Sequence, residues 1–152
     1  MSSAALEAAF RATTYRVATP EGFFFLRIGV VDSAFDGFLL RYGAVNLHLA
    51  TDGAAGRDAV MCWGIVTAHN PGRLLTDDEN RLRHRRLYER IIVSGWRLLE
   101  ACNIADAAAW PMEPGYLVLR ANAEQLRALG QEFGQLAVLF GRTGSAPELL
   151  WL

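Results

Sequence analysis

Between Met61 and Arg90 the chain passes from a strand pattern to a helix pattern through one short polar turn, and this constrains the fold more than any other feature. Met61-Cys62-Trp63-Gly64-Ile65-Val66 is an apolar run of strand length, followed by Thr67-Ala68-His69-Asn70-Pro71. Thr76-Asp77-Asp78-Glu79-Asn80 then opens a helix. Alternation places Met61, Trp63, Ile65, Thr67 and His69 on one face of the strand, and Cys62, Gly64, Val66 and Ala68 on the other. Pro71 keeps Asn70 out of the right-handed helical region, so the chain turns there. A core strand that spills polar side chains into a turn, with a helix start close behind, is where open sheets build sites.

The remaining elements follow from caps, turns and periodicity. Ser3 is placed to cap a helix through Arg11. Thr13 to Ala18 and Phe23 to Ile28 read as a hairpin across Thr19-Pro20-Glu21-Gly22. Ser33 with Asp36 has the form of a capping box, and Phe35, Phe38, Leu39 and Tyr42 fall at helical spacing up to Gly43. Val45 to Ala50 reads as a short strand and Thr51 to Ala59 as a loop. The central strand spans Val60 to Ala68, and the long helix runs from Asp77 to Ser94, closed by Gly95. A strand at Trp96 to Cys102, a loop from Asn103 to Pro114 and a strand at Tyr116 to Leu119 come next. Asn122 with Gln125 caps a helix that stops at Gly134, and a terminal hairpin joins Leu136–Phe140 to Glu148–Leu152. The order α-β-β-α-β-α-β-β-α-β-β predicts an α+β fold, a single-domain sandwich of residues 1–152 with three to four helices on a mixed, largely antiparallel sheet.

Composition removes several classes of function. All fifteen basic residues are arginine and none is lysine, which excludes Schiff-base chemistry, a lysine base and a P-loop. A net charge of −1 gives no general affinity for nucleic acid or anionic lipid. No apolar run approaches the ~20 residues of a membrane span, and no leader is evident, so a soluble cytoplasmic protein is expected. Cys62 and Cys102 read as free buried thiols. His48, His69 and His84 lack metal-ligand spacing, and nucleotide, elbow and thiol-redox motifs are missing, so no metal or cofactor is expected.

The helix after the turn is the sharper signal. At ~100° per residue, Leu87, Tyr88 and Ile91 define its buried face, which continues back through His84 and Asn80. Two polar residues thus face the core beside the His69-Asn70 turn. Either Asn80 ties the loop down, or Asn70, His69, Asn80 and His84 line one polar pocket. Glu79 completes a Thr76-x-x-Glu79 capping box, which occupies it structurally. The arginines of Arg81-Leu82-Arg83-His84-Arg85-Arg86 scatter round the helix, with Arg83, Arg86 and Arg90 on a solvated side. Glu113, in the stiff Trp110-Pro111-Met112-Glu113-Pro114 loop, can be presented to a cleft as a base or acceptor.

These segments resemble a bacterial domain-of-unknown-function family, number 3293. The resemblance rests on Trp63 to Pro71, Glu79-Asn80, Trp110 to Pro114, and Phe133-Gly134-Gln135 before Ala137-Val138, with Phe10 to Val17 also fitting. It implies a small stand-alone protein and supplies no reaction. The chain departs from the family's pattern at His69, usually aromatic, at His84, often Asn, and at Leu136, usually Asn.

Two functions are expected on this basis. The first is a small-molecule site, sensory or catalytic, formed by Thr67, His69, Asn70, Asn80 and His84, with Glu113 and Gln135 reaching in; His69 or Glu113 would be its acid/base. The second is a non-catalytic protein–protein interaction module in which the same motifs are structural. Leu149-Leu150-Trp151-Leu152 would suit a partner or homodimer contact, although a core-closing edge strand accounts for it better.

Overall fold

The computed structural model describes residues 2–45, 60–108 and 110–152. The elements follow the expected order: α1 (Ser3–Arg11), β1 (Thr13–Thr19), β2 (Gly22–Leu26), α2 (Ser33–Val45), β3 (Cys62–Thr67), α3 (Asp77–Val93), β4 (Arg97–Ala105), β5 (Glu113–Leu119), α4 (Ala123–Glu132), β6 (Ala137–Arg142) and β7 (Glu148–Trp151). The Val45–Ala50 strand and Thr51–Ala59 loop fall outside the described residues, apart from Val45, which ends α2; His48 falls outside them too.

The fold is α+β. Among the described residues the strands form one seven-stranded sheet in the order β2-β1-β4-β5-β3-β6-β7, with every neighbouring pair antiparallel. The sheet curls until its two edges approach, and Gly29 N, just after β2, donates to Pro147 O, just before β7, at 2.9 Å.

The strand alternation read from the sequence sorts the core. Met61, Trp63 and Ile65 share a cluster with Phe35, Phe38 and Leu39 of α2 and with Tyr15, Val17 and Leu26. Val66 and Ala68 face the other way, into a cluster with Leu87 and Ile91 of α3 and Leu126 and Leu129 of α4. Each such large apolar side chain contributes about 1.5–3 kcal/mol by leaving water, so α2 is held by Phe35, Phe38 and Leu39 rather than by helix propensity. Phe35 also meets Trp63 edge-on at 5.5 Å.

Several local expectations change. Ser2, not Ser3, caps α1, accepting from Ala5 N. Asp32, not Ser33, accepts from Phe35 N at the start of α2, and Asp36 accepts instead from Gly144 N at 2.9 Å. The Thr76–Glu79 and Asn122–Gln125 capping boxes form as read. The expected loop Asn103–Pro114 is shorter: β4 continues to Ala105 and β5 begins at Glu113, because Asn103 pairs with Glu113 and Cys102 with Pro114. Tyr88 is 44% exposed instead of buried, its ring lying at the flank 5.8 Å from Tyr116. Leu149–Trp151 lies in the edge strand β7, with Leu150 buried and Trp151 edge-on to Phe10 at 5.7 Å. Cys62 and Cys102 are free thiols. No helix among the described residues is long and apolar enough to cross a membrane.

Candidate functional site

Where β3 ends, polar side chains take over from the sheet's backbone ladder. Thr67 donates its hydroxyl to Pro114 O at 2.8 Å and accepts from His69 N at 3.1 Å, so the departing chain stays tied to β5. Asn70 follows at φ 46, a left-handed conformation that asparagine tolerates better than most residues. Its backbone N–H donates to Asn80 Oδ1 at 3.0 Å, and Asn80 Nδ2 returns a bond to Asn70 Oδ1 at 2.9 Å. Leu75 N donates to the same Asn70 oxygen at 2.9 Å. Asn70 and Asn80 are both buried, and this exchange holds the exit from β3 against the first turn of α3. An unpaired group here would cost about 1–3 kcal/mol.

Glu113 continues the knot. Its Oε1 accepts from Asn70 Nδ2 at 3.1 Å and from Trp110 Nε1 at 2.6 Å, while its Oε2 has no hydrogen-bond partner among the described residues. Burial pushes the Glu113 carboxyl above the ordinary range, and the bonds from Trp110 and Asn70 offset part of that rise. The register sets Asn103 directly across from Glu113, and Tyr15 directly across from Asn103. These three side chains therefore stand in one row on the sheet face that α2 covers. Asn103 Oδ1 is buried with no hydrogen-bond partner among the described residues. Burial, with the nearby Glu113 charge adding to it, pushes the Tyr15 hydroxyl up, and that hydroxyl donates to Phe10 O at 3.4 Å.

The histidines lie on the other face. His84 stacks on Tyr116 at 4.7 Å between ring centroids, and His69 stands edge-on to His84 at 5.7 Å. Strand alternation placed His69 with Thr67; the pleat stops at Thr67, and the turn swings the imidazole toward α3. Burial lowers the pKa of both imidazoles; for His69 the charges of His84 and Arg83 add to the effect, and for His84 the charge of Glu100 opposes it. His84 Nδ1 is buried with no hydrogen-bond partner among the described residues. Thr67, Asn70, Asn80 and Glu113 thus come together, and His69 and His84 form a separate pair.

Two residues clamp the turn from outside. Gln135 Nε2 donates to His69 O at 3.1 Å. Arg83, expected on a solvated helix face, is half-buried and donates Nε to Ala68 O at 2.6 Å and Nη2 to Phe133 O. A helical wheel could not reveal this, because the acceptors belong to β3's exit and to the end of α4. The Arg83 bonds, the Asn103 acceptor and the Trp110–Glu113 bond all escaped the sequence reading. Arg86, Glu89 and Arg90 of α3, with Phe133, line a groove of about 440 Å³, and Tyr42, Trp96 and Arg120 line another of about 290 Å³; neither includes Glu113.

The histidine pair makes a test in pH. A folded pKa below the unfolded value near 6.5 means that the unfolded chain gains protons first as pH falls. Their contribution is therefore neutral above about pH 6.5, falls as the unfolded imidazoles charge, and levels below the folded values. Urea midpoints measured from pH 8 to pH 5 should drop more for wild type than for His84→Asn; equal slopes would exclude the pair as a source of acid sensitivity.

Residues 66–138 match the family model described as Protein of unknown function (DUF3293), which bears out the family resemblance read from the motifs. The match includes Thr67 to Pro71, Asn80, Trp110 to Pro114 and Gln135, and excludes Phe10 to Val17. No curated protein and no solved structure matches the chain.

Proposed function

With the chain taken as a DUF3293 protein, we propose that it is a small cytoplasmic ligand-binding domain whose recognition element is Glu113 together with Asn103. The observation that carries this reading is the half-engaged carboxyl: Oε1 is fixed by two donors while Oε2 is left unbonded among the described residues. On the neighbouring strand Asn103 Oδ1 is a buried acceptor with no hydrogen-bond partner among the described residues. Two adjacent acceptors call for a ligand that brings N–H donors, such as an amine, amide or guanidinium group. In this reading Asn70 and Asn80 hold the site together without touching the ligand, since their amides bond one another, Leu75 and Glu113. Thr67 and Gln135 serve the same frame, and His69 and His84 act from the opposite face. His69 and Glu113 do not form an acid/base pair, so binding is favoured over catalysis.

The sign of the Glu113 shift adds a condition. The fold retains this proton where an unfolded glutamate has released it, so a cationic ligand must draw the proton off and should bind more tightly as pH rises through the folded pKa. The test is a thermal-shift screen of wild type and Glu113→Gln against amine, amide and guanidino metabolites. A compound that raises the wild-type midpoint by several degrees and leaves Glu113→Gln unmoved would support the site. Equal shifts in both proteins, or none at millimolar concentration, would overturn it. The saturated Asn70–Asn80 exchange keeps the alternative, a non-catalytic interaction module, as the reading to fall back on.

A further inference from the structure

We infer that the chain pairs with a second copy of itself through the open edge of β2. This strand, Gly22-Phe23-Phe24-Phe25-Leu26, is an outermost strand of the sheet. Edge strands are ordinarily blunted by a charge, a proline or a bulge, and β2 contains none of these. Which of its backbone groups are free follows from the register. Asp106 N donates to Ala12 O, which turns the even residues Ala12, Thr14 and Arg16 toward β4, and the odd residues Tyr15, Val17 and Thr19 toward β2. Their partners Leu26, Phe24 and Gly22 therefore point inward, and the N–H and C=O groups of Phe23 and Phe25 point away from the sheet.

One antiparallel arrangement uses all of these groups. Centred on Phe24, it sets Phe23 of each copy opposite Phe25 of the other, the geometry that exchanges both backbone bonds at each pair. The same register sets Glu21 opposite Arg27 at both ends, so the charges flanking the strand are complementary on self-pairing. Both side chains keep enough exposure to meet a partner, at 50% for Glu21 and 40% for Arg27, while holding Arg41 and Asp106 within their own chain. The side chains agree with the backbone. Phe24 points inward, its ring 5.2 Å from Phe35, whereas Phe23 and Phe25 are 59% and 58% exposed on the opposite face. Twofold pairing would bring these four exposed rings together in two cross-strand aromatic pairs. The other edge strand, β7, carries Glu148 and has Trp151 against Phe10 of α1, so it offers no equivalent surface.

The experiment is solution mass by light scattering at tens of micromolar. Wild type should run at twice its 16.8 kDa chain mass. Phe25→Lys, at an exposed position outside the core, should run as a folded monomer with an unchanged circular dichroism spectrum. The double variant Phe23→Glu with Phe25→Lys should regain the dimer, because the register places each new glutamate opposite a new lysine. A monomeric wild type would overturn self-pairing and leave the edge to a strand from another protein. A dimeric Phe25→Lys, or a double variant that stays monomeric, would overturn this interface.

Discussion

Asn80→Ala should lower the unfolding free energy by about 3 kcal/mol, read from urea denaturation at neutral pH. The substitution removes both halves of the amide exchange, leaving the buried Asn70 N–H without an acceptor and Asn70 Oδ1 with only Leu75 N. Asn70 must then keep its left-handed φ with less support, and Pro71 blocks relaxation into the right-handed region. Asn80→Asp separates the two halves of the exchange. It preserves the acceptor for Asn70 N but turns a carboxylate oxygen toward Asn70 Oδ1, replacing attraction with repulsion. It should therefore be destabilising too, and less so as pH falls and the aspartate gains a proton to donate. A loss below about 1 kcal/mol for Asn80→Ala would mean that water takes over the bonds and the knot does not govern stability.

Gly115→Ala should be at least as damaging, costing about 3 kcal/mol or more and lowering the melting midpoint by roughly 10 °C. A Cβ at Gly115 would lie 2.4 Å from Val66 O and 3.1 Å from Thr67 Cα, both backbone atoms of the neighbouring strand. Side chains can rotate away from such a clash, but a paired strand can escape only by separating. The pair forced apart is β3–β5, which sets Thr67 beside Pro114 and Asn70 beside Glu113. Gly95→Ala is the control. Gly95 has a positive φ, 80°, which Gly115 does not, but a Cβ there meets nothing within 4 Å, so only the backbone penalty of about 1 kcal/mol applies. If scanning calorimetry gave the two variants the same midpoint, close approach at Gly115 would not be the determinant.

The order of elements was legible because each signal lies within a few residues: alternation along the strands, helical spacing in α2 and α3, and caps at Thr76 and Asn122. The sheet order was not legible, since nothing local requires β1 to pair with β4 or β3 to lie between β5 and β6. The same distinction runs through the site. Asn70, Asn80 and Glu113 were singled out as polar residues at odds with their surroundings, and the fold joins them. Their partners Trp110 and Asn103 carried less signal, because the short loop and the register that bring them in are long-range facts. Arg83 was misplaced for a related reason: its sequence neighbours are charged, while its bonding partners are carbonyls from two distant segments. His69 shows the limit of a period-two argument, which holds only while the backbone remains a strand.

The sheet order also sets how the chain must fold. The β1–β2 hairpin is made from adjacent residues and can form early, yet its inner neighbour is β4, and Thr14 finds Asp106 at a sequence separation of 92 residues. The curl closes later still, when the segment after β2 meets Pro147 near the C-terminus. Pairings this remote in sequence put folding toward the slow end for domains of this size, about milliseconds to seconds. During synthesis the three consecutive phenylalanines of β2 emerge with α2, whose Phe35 and Phe38 meet Phe24, close behind, but long before β4 and the later strands that complete the sheet. The interval between synthesis of β2 and completion of the sheet is when this chain is most exposed to aggregation.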